Sequence, residues 1–294
     1  MDILEVSTLY PGPLVGRLLC DLGFSVIKVE PPGGDPMREL SPTLYKLLNE
    51  DKDVVYIDLR SAASRAAFYQ LARRVKAVVT TFRPSTIEKL EVGYSRLSSI
   101  NPPLVYIAIT GFKDLPGHDI NFAAAAGHVK WGPPVPQSVD VATGLLAALM
   151  AVAKVLKGEP GYFEISMEDV AMFLNLLNYA LVADWGLTFL TGEFPFYNIY
   201  RCKGGAVALG AVEKKFWERF VAAIKRPELT DKMFNTEAVH VVREAIKELD
   251  CTSLEEVAHN FDIPLTRVRD IKEVYKAGLA RISNFLKSLR QSPS

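Results

Sequence analysis

The sequence contains little cysteine, and its cysteines form no pattern. Cys20, Cys202 and Cys251 are the only three in 294 residues, and they lie far apart. Their spacing matches no metal-ligand motif, and three cysteines are too few for a disulfide framework. We therefore expect no metal site, a reducing cytoplasmic location, and a Cys202 that packs as a small hydrophobic residue.

The chain also lacks an excess of charge of either sign. Lysine and arginine number 34, and aspartate and glutamate also number 34. Proteins that bind nucleic acids or anionic membranes through bulk electrostatics carry a basic excess. The sequence predicts neither partner, so any anionic ligand must be bound by local basic groups.

No stretch has the features of a targeting or membrane-spanning segment. The chain begins Met1-Asp2, without the basic region and apolar run of a signal peptide. The longest uncharged apolar run, from Val141 to Ala153, is shorter than the roughly 20 residues that cross a bilayer. We interpret this run as part of a buried helix.

The first half of the chain alternates apolar strands with helices. The predicted strands are Ile3–Val6, Ser25–Glu30, Val54–Leu59, Ala77–Phe82 and Leu104–Thr110. Nearly continuous apolar strands separated by helices indicate an α/β fold, with a doubly wound, Rossmann-like parallel sheet covered on both faces. Ligands bind beyond the carboxyl ends of such strands. We therefore expect Pro31–Arg38, Arg83-Pro84 and the loop that carries His118 to face one crevice.

The most unusual chemistry lies in Gly117–Phe122 and in Asp140. His118 can take or give a proton near neutral pH, and Asp119 and Asn121 supply hydrogen-bonding groups beside it. Asp140 is predicted to lie at the start of a helix that ends at Lys157, where a carboxylate is stabilised by the helix dipole. Two interpretations of Asp140 stay open, a plain helix N-cap and a functional carboxylate.

The second half has a different pattern. After Gly186, aromatic and turn residues lead to a predicted strand at Ala206–Val212 and to three short helices. The helices are predicted at Lys214–Lys225, Glu237–Leu249 and Leu254–Phe261, and a preceding one at Met167–Trp185. This half is predicted to be a smaller α+β domain. Ser253–Ile271 also has the spacing of a helix-turn-helix motif, but the balanced charge and the lack of a basic face argue against DNA binding.

Several stretches carry a resemblance to the family III CoA-transferases. They are Gly12-Pro13, Gly16-Arg17-Leu18-Leu19, Asp21-Leu22-Gly23, Val26 to Arg38, Phe82-Arg83-Pro84, Leu90 to Tyr94 and Ile100-Asn101-Pro102. Within the family, Gly117-His118-Asp119-Ile120-Asn121-Phe122 resembles the α-methylacyl-CoA racemase branch. Pro195-Phe196-Tyr197, Tyr200-Arg201-Cys202 and Gly210 to Trp217 resemble its second domain. The resemblance covers about the first 226 residues well, and Ile263–Ile282 more loosely.

The resemblance implies an architecture. A large domain would contain residues 1–186 together with a C-terminal return over residues 270–294, and a small α+β domain would contain residues 187–269. Two chains would interlock as an obligate homodimer, with the active site between the large domain of one chain and the small domain of the other.

The resemblance also implies roles for individual residues. His118 and Asp140 would transfer protons in a 2-methylacyl-CoA racemase, and Glu213 would polarise His118. The acyl-CoA substrate carries its own CoA, so no further cofactor is expected. The residues expected along the CoA path are Arg38, Phe82, Arg83, Gly117, Asp119, Asn121 and Phe122. Of these, Arg38 and Arg83 would meet phosphates, which suit the fork of a guanidinium group. Backbone N–H groups at the start of the helix near Asp140 are expected to stabilise the enolate.

Two alternatives remain open. In a CoA-transferase of this family Asp140 would act as a nucleophile, and His118 would not be needed, so a single histidine separates the two reactions. A CoA-ester-binding protein without catalysis is the third possibility. It is favoured by departures from the family pattern, with Thr81 in place of Asn, Ser85 in place of Gly, and only Lys52 remaining in the basic loop before the third strand.

Overall fold

The structure is a computed structural model that describes residues 2–112, 116–128 and 137–289. The chain divides into two compact units. One contains residues 1–175 and 280–294, and the other contains residues 176–279. The domain boundaries expected from the sequence remain a prediction, and the two units are described separately.

The first unit is built on six parallel strands. They are β1 (Ile3–Val6), β2 (Val26–Glu30), β3 (Asp53–Tyr56), β4 (Ala77–Thr80), β5 (Val105–Thr110) and β6 (Gly161–Ser166). Their order in the sheet is β3-β2-β1-β4-β5-β6, and every neighbouring pair is parallel. The α/β parallel sheet predicted from the apolar strands is therefore confirmed.

Helices cover both faces of this sheet. They are α1 (Pro11–Asp21), α2 (Met37–Leu40), α3 (Pro42–Asn49), α4 (Ala62–Ala72), α5 (Pro84–Leu90), α6 (Tyr94–Ser98), α7 (Asp119–Ala125), α8 (Ser138–Lys157) and α9 (Met167–Leu174). Alternate strand residues enter two different apolar clusters, with Ile3 and Ile107 in one and Leu4 and Tyr106 in the other. This alternation explains why the central strands β4 and β5 read as continuous apolar runs, since both of their faces are buried.

The sheet order reverses between β1 and β4. Chain connections leave these two neighbours in opposite directions, so a crevice opens beyond their carboxyl ends. The loops that follow β1, β4, β5 and β6 therefore border one site.

Helix α8 is long and apolar enough to cross a membrane, judged by length and composition alone. In the fold, its residues Val139, Ala147 and Ala151 are buried in the cluster that covers the sheet. Its opposite side carries exposed leucines at positions 145, 149 and 156. The predicted buried helix is thus buried on one face only.

The second unit contains a small antiparallel sheet. Its strands are β7 (Tyr197–Cys202), β8 (Gly205–Gly210) and β9 (Leu265–Arg267), in the order β7-β8-β9. Its helices are α10 (Leu176–Trp185), α11 (Lys214–Ala223), α12 (Ala238–Lys247), α13 (Cys251–Asn260) and the first part of α14 (Ile271–Leu289), with a short 3-10 helix at Pro227–Lys232. Trp217, Phe220 and Val242 are buried in its core.

Two sequence predictions for this region are wrong. The helix expected over Met167–Trp185 is broken at Asn175 into α9 and α10. The possible helix-turn-helix is excluded because β9 occupies the place of its second helix. Arg267 and Arg269 form ion pairs with Glu273 and Glu255 and are thereby neutralised.

The cysteine prediction also needs correction. Cys202 and Cys251 form a disulfide that joins the end of β7 to the start of α13. The backbones beside it are already paired, because the Lys203 N–H donates to Leu249 and the Cys251 N–H donates to Lys203. Spacing along the chain could not show this contact, which depends on the tertiary fold. The predicted cytoplasmic location stays a prediction.

Candidate active site

A cavity of about 830 Å³ opens at the crevice beyond the carboxyl ends of β1, β4, β5 and β6. Its walls come from the segments that follow these strands and from the starts of α7 and α8. His118 and Asp140 both line it, as do Gly117, Phe122, Phe82 and Arg83. The structure therefore brings together six of the ten residues singled out from the sequence.

Asp140 lies in the first turn of α8 and is half-buried. Burial is the largest cause of a raised pKa for this carboxyl group, to about 6, and the charge of Asp119 raises it further. The charge of His118 acts in the opposite direction, so the two groups interact across the cavity. A carboxyl group with this pKa exchanges its proton near neutral pH, as an acid-base catalyst must.

His118 directly precedes α7. Its backbone N–H donates a hydrogen bond to Oδ1 of Asn121 at 3.0 Å, which closes the first turn of the helix. Its imidazole is exposed at the cavity wall. Asn121, predicted to contact CoA, therefore supports the backbone that presents His118.

Asp119 is buried, and its carboxylate holds the start of α8. Its Oδ1 accepts hydrogen bonds from the Val139 N–H at 2.8 Å and from the Asp140 N–H at 2.9 Å. Asp140 itself comes after the N-cap residue Gln137, so its interpretation as the N-cap is wrong. Two of the N–H groups that could stabilise an enolate are therefore occupied by Asp119, and the expectation that the start of α8 serves the enolate stays a prediction. The backbone of Asp119 remains predicted to line the CoA path.

The rings of Phe112 and Phe122, together with Gly117, form one wall of the cavity. A Cβ on Gly117 would lie 2.8 Å from Cζ of Phe122 and 3.0 Å from the Phe112 ring, so no larger residue fits without displacement. The Phe112 and Phe122 rings pack with their centroids 4.5 Å apart. Phe122 is almost fully buried, and it presents only part of its ring to the cavity.

Arg38 is held on one side by a buried carboxylate. Its Nε donates to Oε2 of Glu30 at 2.9 Å, and its guanidinium carbon lies 4.0 Å from the centre of the Tyr45 ring. The Tyr45 hydroxyl donates to the other Glu30 oxygen at 2.7 Å. Arg38 does not line the cavity described above, and its expected contact with a phosphate of CoA stays a prediction.

A second cavity of about 510 Å³ lies beyond β1, β2 and β3. Both cavities are lined by Thr8 and Phe82, so these two residues stand between them. Arg83 is exposed at the start of α5 beside this boundary. Two adjoining cavities give room for a long ligand.

Lys52 does not remain available for phosphate. It is buried, and its Nζ lies 2.6 Å from Oε2 of Glu5 and 2.8 Å from the carbonyl oxygen of Pro13. Glu5 also pairs with Lys28, and Lys28 pairs with Asp35. We call these four residues, Glu5, Lys28, Asp35 and Lys52, the buried ion cluster. Its side chains balance one another, so Lys52 has a structural role.

Glu213 belongs to the second unit. It precedes α11, and its side chain is exposed and makes no capping hydrogen bond. Its predicted contact with His118 stays a prediction. In residues 2–112, 116–128 and 137–289, no group of three or more His, Cys, Asp or Glu side chains could hold a metal ion.

Sequence reasoning missed Tyr10. It lines the larger cavity, and the charge of Asp140 acts on its hydroxyl. Its position in the sequence could have indicated this. Tyr10 lies between β1 and Pro11-Gly12-Pro13, at the carboxyl end of a strand where the sheet order reverses.

Comparisons with known proteins all find members of one protein family. The family model for CoA-transferase family III matches residues 1–293. A probable fatty acyl-CoA transferase of Mycobacterium tuberculosis, Rv3272, is 29% identical over 272 residues, which cover 78% of this chain and 69% of that protein. The human alpha-methylacyl-CoA racemase is 28% identical over 263 residues, covering 79% of this chain and 66% of that enzyme.

A solved structure has the same fold. The crystal structure of Rv3272 superposes with a TM-score of 0.80 at 27% identity, covering 96% of this chain and 86% of that one. A succinyl-CoA:mesaconate CoA-transferase of Haloarcula hispanica is 29% identical over 268 residues, which cover 78% of this chain and 67% of that enzyme. Racemases and transferases are thus about equally similar to this chain.

Proposed function

The chain belongs to CoA-transferase family III, and we propose that it is an enzyme that interconverts (2R)- and (2S)-2-methylacyl-CoA thioesters. The observation that carries this proposal is the meeting of His118 and Asp140 in one cavity, where their charges interact. Inversion of a carbon centre by proton transfer needs two groups, one at each face. A transferase needs only the carboxylate.

The proposed reaction has two proton transfers. The neutral imidazole of His118 removes the proton from the carbon next to the thioester carbonyl, and the C–H electron pair moves into the enolate. Protonated Asp140 then returns a proton to the opposite face, and the roles reverse for the other enantiomer. Because burial raises the pKa of Asp140 to about 6, its protonated form is accessible near neutral pH.

The CoA portion is proposed to lie across the two adjoining cavities. Arg38 and Arg83 would bind its phosphates, the smaller cavity would hold the adenosine end, and Phe82 would contact the chain between them. The thioester would then enter the larger cavity, near His118 and Asp140. CoA belongs to the substrate here, and we propose no separate cofactor.

A CoA-transferase is the second candidate, because Asp140 offers a carboxylate to the same cavity and several relatives are named as transferases. Its oxygen would attack the thioester carbonyl and release CoA thiolate, leaving an acyl anhydride. The thiolate would attack the aspartyl carbonyl of this anhydride, which frees the acid and leaves an aspartyl-CoA thioester for the next carboxylic acid.

One experiment separates these reactions. The protein is incubated in deuterium oxide with a single enantiomer of a 2-methylacyl-CoA, with and without a second carboxylic acid. We expect epimerisation and uptake of one deuterium at the α-carbon. Movement of CoA to the acid without deuterium uptake would favour the transferase, and neither reaction would favour a CoA-ester-binding protein.

Histidine variants supply the control. His118→Ala is expected to abolish exchange. His128→Ala is the matched control, because the His128 ring bonds to the carbonyl of Ala171 at 2.7 Å and does not line the cavity. Full exchange activity in His118→Ala would contradict the two-base mechanism.

We also propose the homodimer implied by the resemblance. Helix α10 buries none of its residues, and α14 exposes Ile271, Tyr275 and Phe285. Such apolar helix faces are typical of a surface covered by a partner. Light scattering is expected to give twice the mass of one chain, and a monomer with full activity would refute this.

A further inference from the structure

Tyr10 lines the proposed active-site cavity, and the mechanism above gives its hydroxyl no role. Tyr10 is the last residue before α1, lies half-buried, and lines the larger cavity together with His118 and Asp140. Among the described residues, none forms a hydrogen bond with its hydroxyl. An O–H group in such a place is available to a ligand.

Close packing of α1 on α8 fixes Tyr10 near Asp140. Gly144 lies four residues after Asp140, on the same face of α8. A Cβ on Gly144 would lie 2.8 Å from the Leu14 side chain and 3.2 Å from the carbonyl oxygen of Pro11. The missing side chain therefore lets the start of α1 approach the face of α8 that carries Asp140.

The loop before Tyr10 is held in an unusual conformation. Leu9 has a φ of 68°, in the left-handed region that non-glycine residues rarely adopt. Its N–H donates to Oδ1 of Asp35 at 3.1 Å, and Asp35 is itself paired with Lys28 in the buried ion cluster. Backbone strain maintained by surrounding contacts is common at functional sites.

The proposed reaction needs a hydrogen-bond donor close to the thioester carbonyl oxygen. An enolate or a tetrahedral oxyanion requires hydrogen bonds to the former carbonyl oxygen. The two N–H groups at the start of α8 are occupied by Asp119. Burial, and then the charge of Asp140, raise the pKa of the Tyr10 phenol, so it keeps its proton at neutral pH.

We propose that the Tyr10 hydroxyl donates a hydrogen bond to the thioester carbonyl oxygen and stabilises the negative charge that develops there. This inference rests on the proposed function, since it requires an acyl-CoA thioester in the cavity. It applies equally to the enolate of racemisation and to the oxyanion of acyl transfer. Tyr10 would then be a catalytic residue.

The test compares Tyr10→Phe with a matched control, Tyr106→Phe. The Tyr106 hydroxyl donates to the carbonyl of Val92 in the core, away from both cavities. Tyr10→Phe is expected to lower kcat for α-deuterium exchange, or for CoA transfer if that is the reaction, by about 100-fold. KM and the melting temperature should change little, whereas Tyr106→Phe should lower the melting temperature and keep kcat.

The pH profile distinguishes direct action from action through Asp140. If Tyr10 donates directly to the substrate, Tyr10→Phe lowers kcat but leaves the pH midpoints of the kcat profile unchanged. Tyr10→Phe with kcat within twofold of wild type, or with a shifted midpoint, would overturn the assignment. A wild-type protein with neither exchange nor transfer would overturn the proposed function together with it.

Discussion

The glycine at position 16 gives a sharp test of how the buried ion cluster supports the fold. Gly16 lies within α1, against the cluster. A methyl group there would overlap the Glu5 carboxylate and would lie 2.8 Å from both Cε and Nζ of Lys52. Glu5 and Lys52 have fully buried side chains, so neither can move into solvent. We therefore predict that Gly16→Ala disrupts this ion pair.

The expected magnitude follows from two opposing effects. Replacing glycine by alanine within a helix stabilises it by about 1 kcal/mol. Breaking a buried ion pair costs about 3 to 5 kcal/mol, because an uncompensated charge remains inside. The free energy of unfolding should therefore fall by roughly 2 to 4 kcal/mol. Urea denaturation at pH 7 measures this change.

Gly278→Ala is the matched control. It makes the same change within α14, where a Cβ would meet nothing within 4 Å. This variant should be as stable as the wild type or up to about 1 kcal/mol more stable. If Gly16→Ala were as stable as Gly278→Ala, the side chains of the cluster would have room to adapt and the reasoning would be refuted.

Four further predictions concern the site and the disulfide. Asp140→Asn should raise the free energy of unfolding at pH 8 but not at pH 3. The reason is that folding raises the pKa of the Asp140 carboxyl from 3.8 to about 6, so the wild-type protein loses stability as the pH rises through that range. Urea denaturation at both pH values measures the difference, and an equal effect at both would contradict the prediction. Arg38→Ala should raise KM for acyl-CoA by about 10- to 100-fold with little change in kcat, since charged hydrogen bonds contribute about 1.5 to 3 kcal/mol. Initial rates at several acyl-CoA concentrations give both constants. An unchanged KM would exclude phosphate binding by Arg38. Alkylation of the unfolded, unreduced chain should label only Cys20, and mass spectrometry that finds three labelled cysteines would disprove the Cys202–Cys251 disulfide. Reduction should destabilise the chain by up to about 4 kcal/mol for a sequence separation of 49 residues.

Local sequence patterns predicted the sheet of the first unit because a strand that is buried on both faces has apolar residues at nearly every position. Strands such as Val105–Thr110 are buried at every position, and this produces the uninterrupted apolar run. The strand at Tyr197–Cys202 was missed for the converse reason. Exposed and buried residues are mixed along it, so its aromatic and polar residues resembled a loop.

The site was predictable where chemistry lies in single residues and unpredictable where it depends on long-range contacts. His118 and Asp140 were identified from their chemistry, their positions and the family resemblance. The carboxylate of Asp119 accepts hydrogen bonds from the N–H groups of Val139 and Asp140, about 20 residues away. No local sequence pattern predicts such a contact. The same limit applies to Lys52, whose Nζ donates to Glu5 across 47 residues of the sequence.

The hydrogen bonds of Asp119 have a mechanical consequence. One peptide bond joins Asp119 to His118, and two hydrogen bonds join its carboxylate to the backbone of Val139 and Asp140. The backbone segments that carry the imidazole of His118 and the carboxyl group of Asp140 are thus linked at the starts of α7 and α8. A displacement of the start of α7 is therefore transmitted to the start of α8 through these two hydrogen bonds.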